Sequence, residues 1–334
     1  MRYALIDTAN TFFRMKHVAS RSQDAWEKVG IALHLTLASV NMVAKKFKVD
    51  HVVFALEGKS WRKEFYTPYK AHRVVDNQAL TESEVEENQL FYETFNTFIT
   101  FLVEKTNVSV IRNEHAEADD IIARFIHLHP EDEHYIISSD TDYLQLITEN
   151  VRQYNGVTNQ LITIDGYYDD KDRPVIDKKT NKHKKLDDPG YILFEKCIRG
   201  DSTDNVFSAF PGARSKSSSK TTGLIEAYAD KTKKGFAWNN IMMQRWVDHN
   251  KQEHKVADDY ERNRKLIDLT AQPDDIKNEI DDSIKNTVRW LIPNNNVGIY
   301  FLKFCSKYEL ARISDQANTY VKWLNSPYIG ILRN

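Results

Sequence analysis

Carboxylates recur at five points of the chain where an apolar run ends or an amphipathic stretch begins. Asp7 closes the run Tyr3–Ile6, and Glu57 closes His51–Leu56. Glu117, Asp119 and Asp120 open a helical pattern, Asp140 and Asp142 follow Tyr135–Ile137, and Asp201 and Asp204 flank a turn. Carboxylates that converge repel one another unless cations neutralise them. Oxygen-only donors with no Cys or His cluster select hard ions, Mg²⁺ or Mn²⁺, over zinc. So many acids exceed the needs of one such ion. Two ions roughly 4 Å apart suit an in-line cleavage of a phosphodiester, one activating the attacking water and one holding the leaving oxygen. Taken singly, each motif also has a plain reading: Asp119 and Asp120 as helix-capping charges, and Asp140-Thr141-Asp142 as an Asx turn. Five motifs at matching positions make the plain reading poor for the set.

The elements that must position these groups read as strand–helix–strand units. Tyr3–Ile6, His51–Leu56, Val108–Ile111 and Tyr135–Ile137 alternate with long amphipathic stretches, the pattern of a mostly parallel sheet flanked by helices. Trp26, Val29, Leu33, Leu37, Val40, Val43 and Phe47 recur every three or four residues, which predicts a crossover helix with one buried face. In an open parallel sheet the C-terminal strand ends form the ligand crevice, so Asp7, Glu57, Asp140 and Asp142 are expected to meet there. Residues 69–90 are polar and rich in glutamate. Thr81 and Glu84 form a capping-box pattern ahead of Leu90, Phe91, Phe95, Phe98 and Leu102, which predicts a projecting helical excursion and then a core helix. Tyr154 to Asp188 reads as an exposed hairpin with a basic loop at 171–185, and helical patterns dominate afterwards. The expected division is an α/β core over 1–187 and a mainly helical region over 188–334. No repeat is visible.

The 334 residues, 41% of them hydrophobic and 11% aromatic, suffice for a sizeable core. No apolar run approaches the ~18 residues of a membrane span, and MRYALIDTAN enters a strand pattern without an export signal. A soluble, cytoplasmic protein is expected. Cys197 and Cys305 stand apart without metal-ligand spacing, which argues against a disulfide framework or a zinc site. The net charge of −2 is not that of a uniformly basic nucleic-acid binder. Its distribution is more telling: bases gather at Lys59–Arg73, Lys171–Lys185 and Arg214–Lys234, apart from the acidic motifs.

The order LIDTAN with FRMKH, WRKEFYTPYKAHR, EAEADD, ISSDTDYLQL and GDSTDNVFSAFPGARSKSSSK resembles the flap endonuclease and 5'-to-3' exonuclease family, in particular the bacteriophage 5'-nucleases. The resemblance runs through most of the chain. It implies a PIN-like nuclease core with a helical arch near 69–90 and a helix-hairpin-helix near 205–226. It assigns Asp7, Glu57, Glu117 and Asp119 to one metal and Asp140, Asp142, Asp201 and Asp204 to the second, with Asp120 in the outer shell. Lys70 and Arg73 correspond to residues that approach the scissile phosphate, assisted by Arg62; Tyr69 precedes them at the arch base. Arg14 and Lys16 match positions that meet the 5' strand. Arg214, with Lys216 and Lys220 expected one turn apart on a helix, would track duplex phosphates. Two departures stand out. Glu57 replaces the usual Asp, which keeps an oxygen donor with longer reach, and Ala213-Arg214-Ser215 replaces a Gly-x-Gly turn, which leaves the family's K⁺ site without its usual sequence.

The implied function is a Mg²⁺-dependent, structure-specific 5'-nuclease, with Mn²⁺ as substitute, acting on 5' flaps, nicked or gapped duplex and RNA–DNA hybrid in replication. The implied partners beside DNA are a replication polymerase or a single-strand binding protein, with the chain itself a monomer and no membrane involved. Two alternatives remain at the level of sequence. A Mg²⁺-dependent small-molecule phosphohydrolase with an aspartyl nucleophile would want a second Asp at position 9, where Ala9 stands. A catalytically silent DNA-structure-binding module would carry its acids as a liability beside DNA.

Overall fold

RYALID makes the first strand, β1 (Arg2–Asp7), and all but its first residue are buried, as a central parallel strand requires. The structure, a computed structural model, describes residues 1–18, 24–73, 81–218, 221–289 and 294–330, the side chains of 15–18 and 289 excepted. β2 (His51–Leu56) is buried throughout, and β3 (Ser109–Arg112), β4 (Glu133–Ile137) and β5 (Val151–Asn155) follow. All five run parallel. β6 (Gln160–Thr163) and β7 (Gly166–Tyr168) then add antiparallel strands, giving the order β3-β2-β1-β4-β5-β6-β7. The order reverses at β1. The chain steps outward to β2 and β3, then returns to β1's other side with β4, so the switch point lies between the C-terminal ends of β1 and β4.

By contact the chain divides into two compact units. The first comprises 1–60, 80–186 and 274–334; the second comprises 61–79 and 187–273. One cut near residue 187 therefore describes the chain incompletely. The reason is visible in the last segment, whose apolar face belongs to the sheet-containing unit. Phe301 and Phe304 pack on Phe101, and Trp323 donates its Nε1–H to Asn41 Oδ1 at 3.2 Å. Helix Asp274–Arg289 lies on helix Ala118–Leu128, where Arg124 grips Asp281 through Nε and Nη2 at 2.8 and 2.6 Å. Such a fork-on-fork pair fixes register as well as charge.

In the first unit, helix Ala25–Lys46 buries Val29, Leu33, Leu37, Val40 and Val43 as its period predicts, while Trp26 stays 43% exposed and stacks on Tyr308. Helix Glu82–Lys105 starts at the expected capping box: Thr81 N–H donates to Glu84 Oε2 at 2.8 Å and Glu84 N–H to Thr81 Oγ1 at 3.3 Å. Residues 74–80, within the expected arch, lie outside the described residues. No helix among the described residues is long and apolar enough to cross a membrane.

The stretch after Tyr154, expected as an exposed hairpin with a basic loop, extends the sheet through β6 and β7 and then forms a further hairpin, β8 (Ile176–Asp177) with β9 (Lys182–His183). The second unit is helical, with Pro189–Arg199, Leu224–Ala229, Phe236–Met242 and Val256–Ile267, plus a two-stranded hairpin of Arg245–Val247 with Glu253–Lys255. Its core gathers Phe194, Cys197, Ile198, Leu224, Ile241 and Tyr260.

The expected helix-hairpin-helix over 205–226 is corrected by the local chemistry. Residues 205–218 and 221–223 are not helical, and the second helix begins only at Leu224. Serines compete for the backbone here: Gly223 N–H donates to Ser217 Oγ at 2.8 Å and Thr221 N–H to Ser218 Oγ at 3.2 Å. Short hydroxyl side chains that satisfy their own backbone favour turns over helix.

Candidate metal centre

Asp7 sits at the sheet's switch point and is buried. Its Oδ1 accepts the Asn10 N–H at 3.3 Å, and its Oδ2 accepts the hydroxyls of Ser138 at 3.1 Å and Tyr143 at 3.2 Å. Asn10 closes the arrangement from the other side, its Oδ1 taking the Ser139 N–H and Oγ–H at 3.2 and 2.9 Å. The ends of β1 and β4 are thereby tied together. Burial, and then the negative charge of Asp140, push the Asp7 carboxyl up to about 6.

The Asp-x-Asp pair is positioned by a tight turn. Asp140 caps the 3-10 helix Thr141–Leu146, its Oδ1 taking the Asp142 N–H at 3.0 Å. Gln153 on β5 donates to the carbonyls of Ser138 and Asp140 at 3.0 and 2.6 Å. Tyr143 is buried beneath. Its phenol is pushed well above its ordinary value by burial first, and then by Asp7, Asp119, Asp140 and Glu57. The phenol therefore keeps its proton and serves as a donor to Asp7. One buried hydroxyl feeling four carboxylates from four separate parts of the sequence is the clearest sign that they converge.

Glu57 and Glu117 meet through a close backbone approach. A Cβ at Gly58 would lie 2.0 Å from the Asn113 carbonyl oxygen, so only glycine lets the 57–60 loop rest against 113–117. Gly58 N–H donates to the Ala116 carbonyl at 2.9 Å, and Ser60 Oγ to Glu117 Oε2 at 2.8 Å. Glu57 Oε2 accepts the Ala118 N–H at 3.2 Å, at the positive end of helix Ala118–Leu128. The extra methylene of Glu57 is used in this reach. Ligand atoms of Glu117, Asp119 and Asp120 all lie within 4.8 Å of one another. Asp120 is fully buried and accepts the Glu117 N–H at 3.2 Å, which turns it toward its own helix.

In the second unit, Gly200 at φ +78° opens the turn that carries Asp201 and Asp204, and a Cβ there would meet the Val206 carbonyl oxygen at 2.4 Å. Each acid has a cation. Burial works against the charge on Asp201, but Lys196 Nζ at 2.8 Å and the Thr203 N–H hold its carboxyl below the ordinary range. Asp204 takes Tyr69 Oη at 3.0 Å, Lys70 Nζ at 3.5 Å and Arg73 Nη2 at 2.9 Å. The Lys70 N–H also donates to the Asp204 carbonyl at 2.9 Å, with Lys70 itself in the left-handed region at φ +53°. The arch-base residues are thus collected on one carboxylate.

Arg62 is fully buried; it donates Nε–H to the Leu266 carbonyl at 2.8 Å and lies over the Trp61 ring. Arg14, Arg214 and Lys216 are exposed, Lys216 on irregular backbone rather than a helix. The side chain of Lys16 and all of Lys220 lie outside the described residues. Sequence reasoning passed over Ser138, Tyr143, Asn10 and Lys196. The first two stand inside ISSDTDYLQL, and a hydroxyl on each side of Asp-x-Asp was the available signal.

The family model of the 5'-3' exonuclease N-terminal resolvase-like domain matches residues 2–178. The chain belongs to that family. Among curated 5'-3' exonuclease relatives, the flap endonuclease of Escherichia phage T5 is 26% identical over 60% of this chain and 63% of its own length. A 5'-3' exonuclease of Mycoplasmopsis pulmonis is 25% identical over 61% of each, and DNA polymerase I of Rhizobium leguminosarum is 30% identical over 54% of this chain and 15% of its own. The chain thus spans less than two thirds of these relatives. Solved structures share the fold: T5 D15 co-crystallised with metal ions has a TM-score of 0.57 at 21% identity, covering 86% of this chain and 98% of that one. A T5 D15 flap endonuclease variant in a pseudo-enzyme-product complex with DNA and metal ions has 0.54 at 20% identity, covering 85% and 98%.

Proposed function

We propose that this chain is a structure-specific 5'-nuclease, a flap endonuclease and 5'-to-3' exonuclease that hydrolyses phosphodiester bonds of branched or 5'-ended DNA with two Mg²⁺ ions. The observation that carries the reading is the convergence of Asp7, Glu57, Asp119 and Asp140 about the Tyr143 hydroxyl at the strand ends. The donor set fits the ions: it is all oxygen, and the Asp7 carboxyl is raised by burial and by the charge of Asp140, a repulsion that a bound cation would relieve. Asp7, Glu57, Glu117 and Asp119 would hold one ion, and Asp140, Asp142, Asp201 and Asp204 the other, with Mn²⁺ as substitute. Bound there, the ions would lower the pKa of water and neutralise charge on the phosphate.

The chain's own groups do the positioning. Ser138 and Tyr143 aim the Asp7 carboxylate, and the Asp140 turn aims Asp142. Lys70 and Arg73 are assigned as the cations that would meet charge growing on the scissile phosphate. Both pair with Asp204. Arg14, Lys16, Tyr69, Arg214, Lys216 and Lys220 are assigned to the DNA strands. The substrates proposed are 5' flaps, nicked and gapped duplex and RNA–DNA hybrid, by analogy with the relatives named flap endonuclease and DNA polymerase I. A replication polymerase or single-strand binding protein is the proposed partner class.

The test is cleavage of a 5'-labelled flap with and without excess chelator. Mg²⁺-dependent release of the flap supports the reading. Cutting that persists in chelator removes the metals, and binding without any cutting makes the chain a silent DNA-structure-binding module.

A further inference from the structure

We propose that the β8–β9 hairpin, residues 169–185, is a rigid phosphate-contact surface for duplex DNA, separate from the metal centre. The inference rests on the DNA-processing reading above. Its first support is the sorting of charge. The segment holds four acids, and three of them use their carboxylates to hold the hairpin in place, at Asp169, Asp172 and Asp177. Asp169 accepts Arg173 Nε–H at 2.7 Å and the backbone N–H groups of 171 and 173 at 2.9 Å each. The Asp170 carbonyl accepts Lys46 Nζ at 3.0 Å, and Asp172 pairs with the same ammonium at 2.6 Å. Asp177 caps the turn through the N–H groups of Lys179 and Thr180 at 3.0 and 2.8 Å. Lys178, Lys179, Lys182 and Lys185 are exposed, and among the described residues none of them makes an ion pair. Three of the four carboxylates are thus engaged by neighbouring groups, while these four lysines stand exposed and outside any ion pair.

The second support is stiffness. The hairpin is laced to β7 by main-chain bonds, with Tyr167 N–H to the Lys184 carbonyl at 3.0 Å and Val175 N–H to the Tyr167 carbonyl at 2.9 Å. Gly166, at φ +130°, permits the approach, since a Cβ there would lie 2.5 Å from the Lys184 carbonyl oxygen. Lys184 lays its ammonium over the Tyr167 ring at 3.7 Å from the centroid. Lysines carried on an anchored hairpin lose less freedom on contact than lysines on a loose tail. A polyanion with closely and regularly spaced charge is the ligand such a surface fits, and duplex DNA carries one charge per about 1.7 Å of its axis. The simpler role, lysines that keep a sheet edge from pairing with another molecule, needs the charge but no ligand.

The test uses the full chain in chelator, a duplex with a single nick, and anisotropy over a salt series. The variant is Lys178→Gln, Lys179→Gln, Lys182→Gln, Lys185→Gln together. A control of equal charge change is Lys303→Gln, Lys307→Gln, Arg312→Gln, Lys322→Gln. Contact with phosphates lowers the slope of log affinity against log salt by about 2 to 4 in the hairpin variant, at roughly 0.9 per phosphate, and weakens binding at least about tenfold at 0.1 M salt. Flap cutting at saturating enzyme stays at the parent rate. An unchanged slope, or the same change in the control, overturns the proposal and leaves the hairpin as edge protection. If the parent chain binds no DNA, the functional reading fails rather than the hairpin alone.

Discussion

Lowering the pH from 7.5 to 5.0 should destabilise the first unit by an amount that its buried histidines set. His51 at the start of β2 and His134 in β4 are both buried, and burial lowers each from the ordinary 6.5 to about 4. Their partners fix them as neutral rings. The Ser326 carbonyl at 2.9 Å can only accept, so His51 Nδ1 carries the proton and Nε2 receives the Ser109 hydroxyl at 2.8 Å. His134 Nε2 donates to the His129 carbonyl at 2.9 Å, and its buried Nδ1 has no partner among the described residues, so a second proton would find no acceptor. A group whose folded pKa is depressed gives stability that is present above its unfolded pKa and is lost as pH falls toward the folded one. Between pH 7.5 and 5.0 a shift from 6.5 to about 4 loses about 2 kcal/mol per histidine, or about 4 kcal/mol for the pair. Asp7 works oppositely. Raised from 3.8 to about 6, it returns about 1.4 kcal/mol over the same range without metal, leaving a net loss of about 2.6 kcal/mol. Hydrogen exchange of the amides in Tyr3–Asp7 and His51–Leu56, in chelator and corrected for intrinsic rates, reads the opening free energy of this unit at both pH values. Asp7→Asn should widen the loss toward about 4 kcal/mol. Stability that is flat or rises toward pH 5 would refute the assignment of neutral, trapped rings.

Asp140→Asn should abolish flap cutting in Mg²⁺ while circular dichroism and thermal midpoint stay near the parent's, since the side chain's turn-capping oxygen is retained. Lys70→Ala should lower the single-turnover rate at least about tenfold while changing binding less than about threefold, as an interaction made mainly in the transition state does; equal losses would reassign Lys70 to holding substrate. Arg62→Ala should cost about 3 kcal/mol of stability in the second unit, because it strands the Leu266 carbonyl and empties a buried volume, and urea unfolding would measure it. Lys216→Ala should reduce the salt slope of duplex binding by about 0.9 with saturated cutting intact, and an unchanged slope would take it off the DNA.

The strands and the acids at their ends were readable because both follow from local pattern. Buried parallel strands appear as apolar runs, and the rule that ligands gather at C-terminal strand ends brought Asp7, Glu57 and Asp140 together although they stand far apart in the chain. Where side chains answer to tertiary partners, pattern alone failed. The full burial of Arg62 against Leu266 and Trp61 leaves no sign in the sequence around it. Lys216 sits in a stretch with helical spacing that its neighbouring serines undo through their own backbone bonds. The segment after Asp274 has clear amphipathic helices but no sign in them of which unit they cover; that depends on Arg124, Phe101 and Asn41 far upstream.

The interrupted make-up of the first unit also governs the order in which it can be completed on the ribosome. β1 is made before the strands that flank it, residues 51–56 and 133–137, yet it is the middle of the parallel sheet, and its unit includes residues 274–334. At synthesis rates of about 5 to 20 residues per second, some 10 to 50 s separate Asp7 from the helix that begins at Asp274. Throughout that interval Phe98 and Phe101 lack the Phe301 and Phe304 rings that cover them in the finished protein. Long-range closure of this kind is slow and leaves apolar surface open to wrong partners.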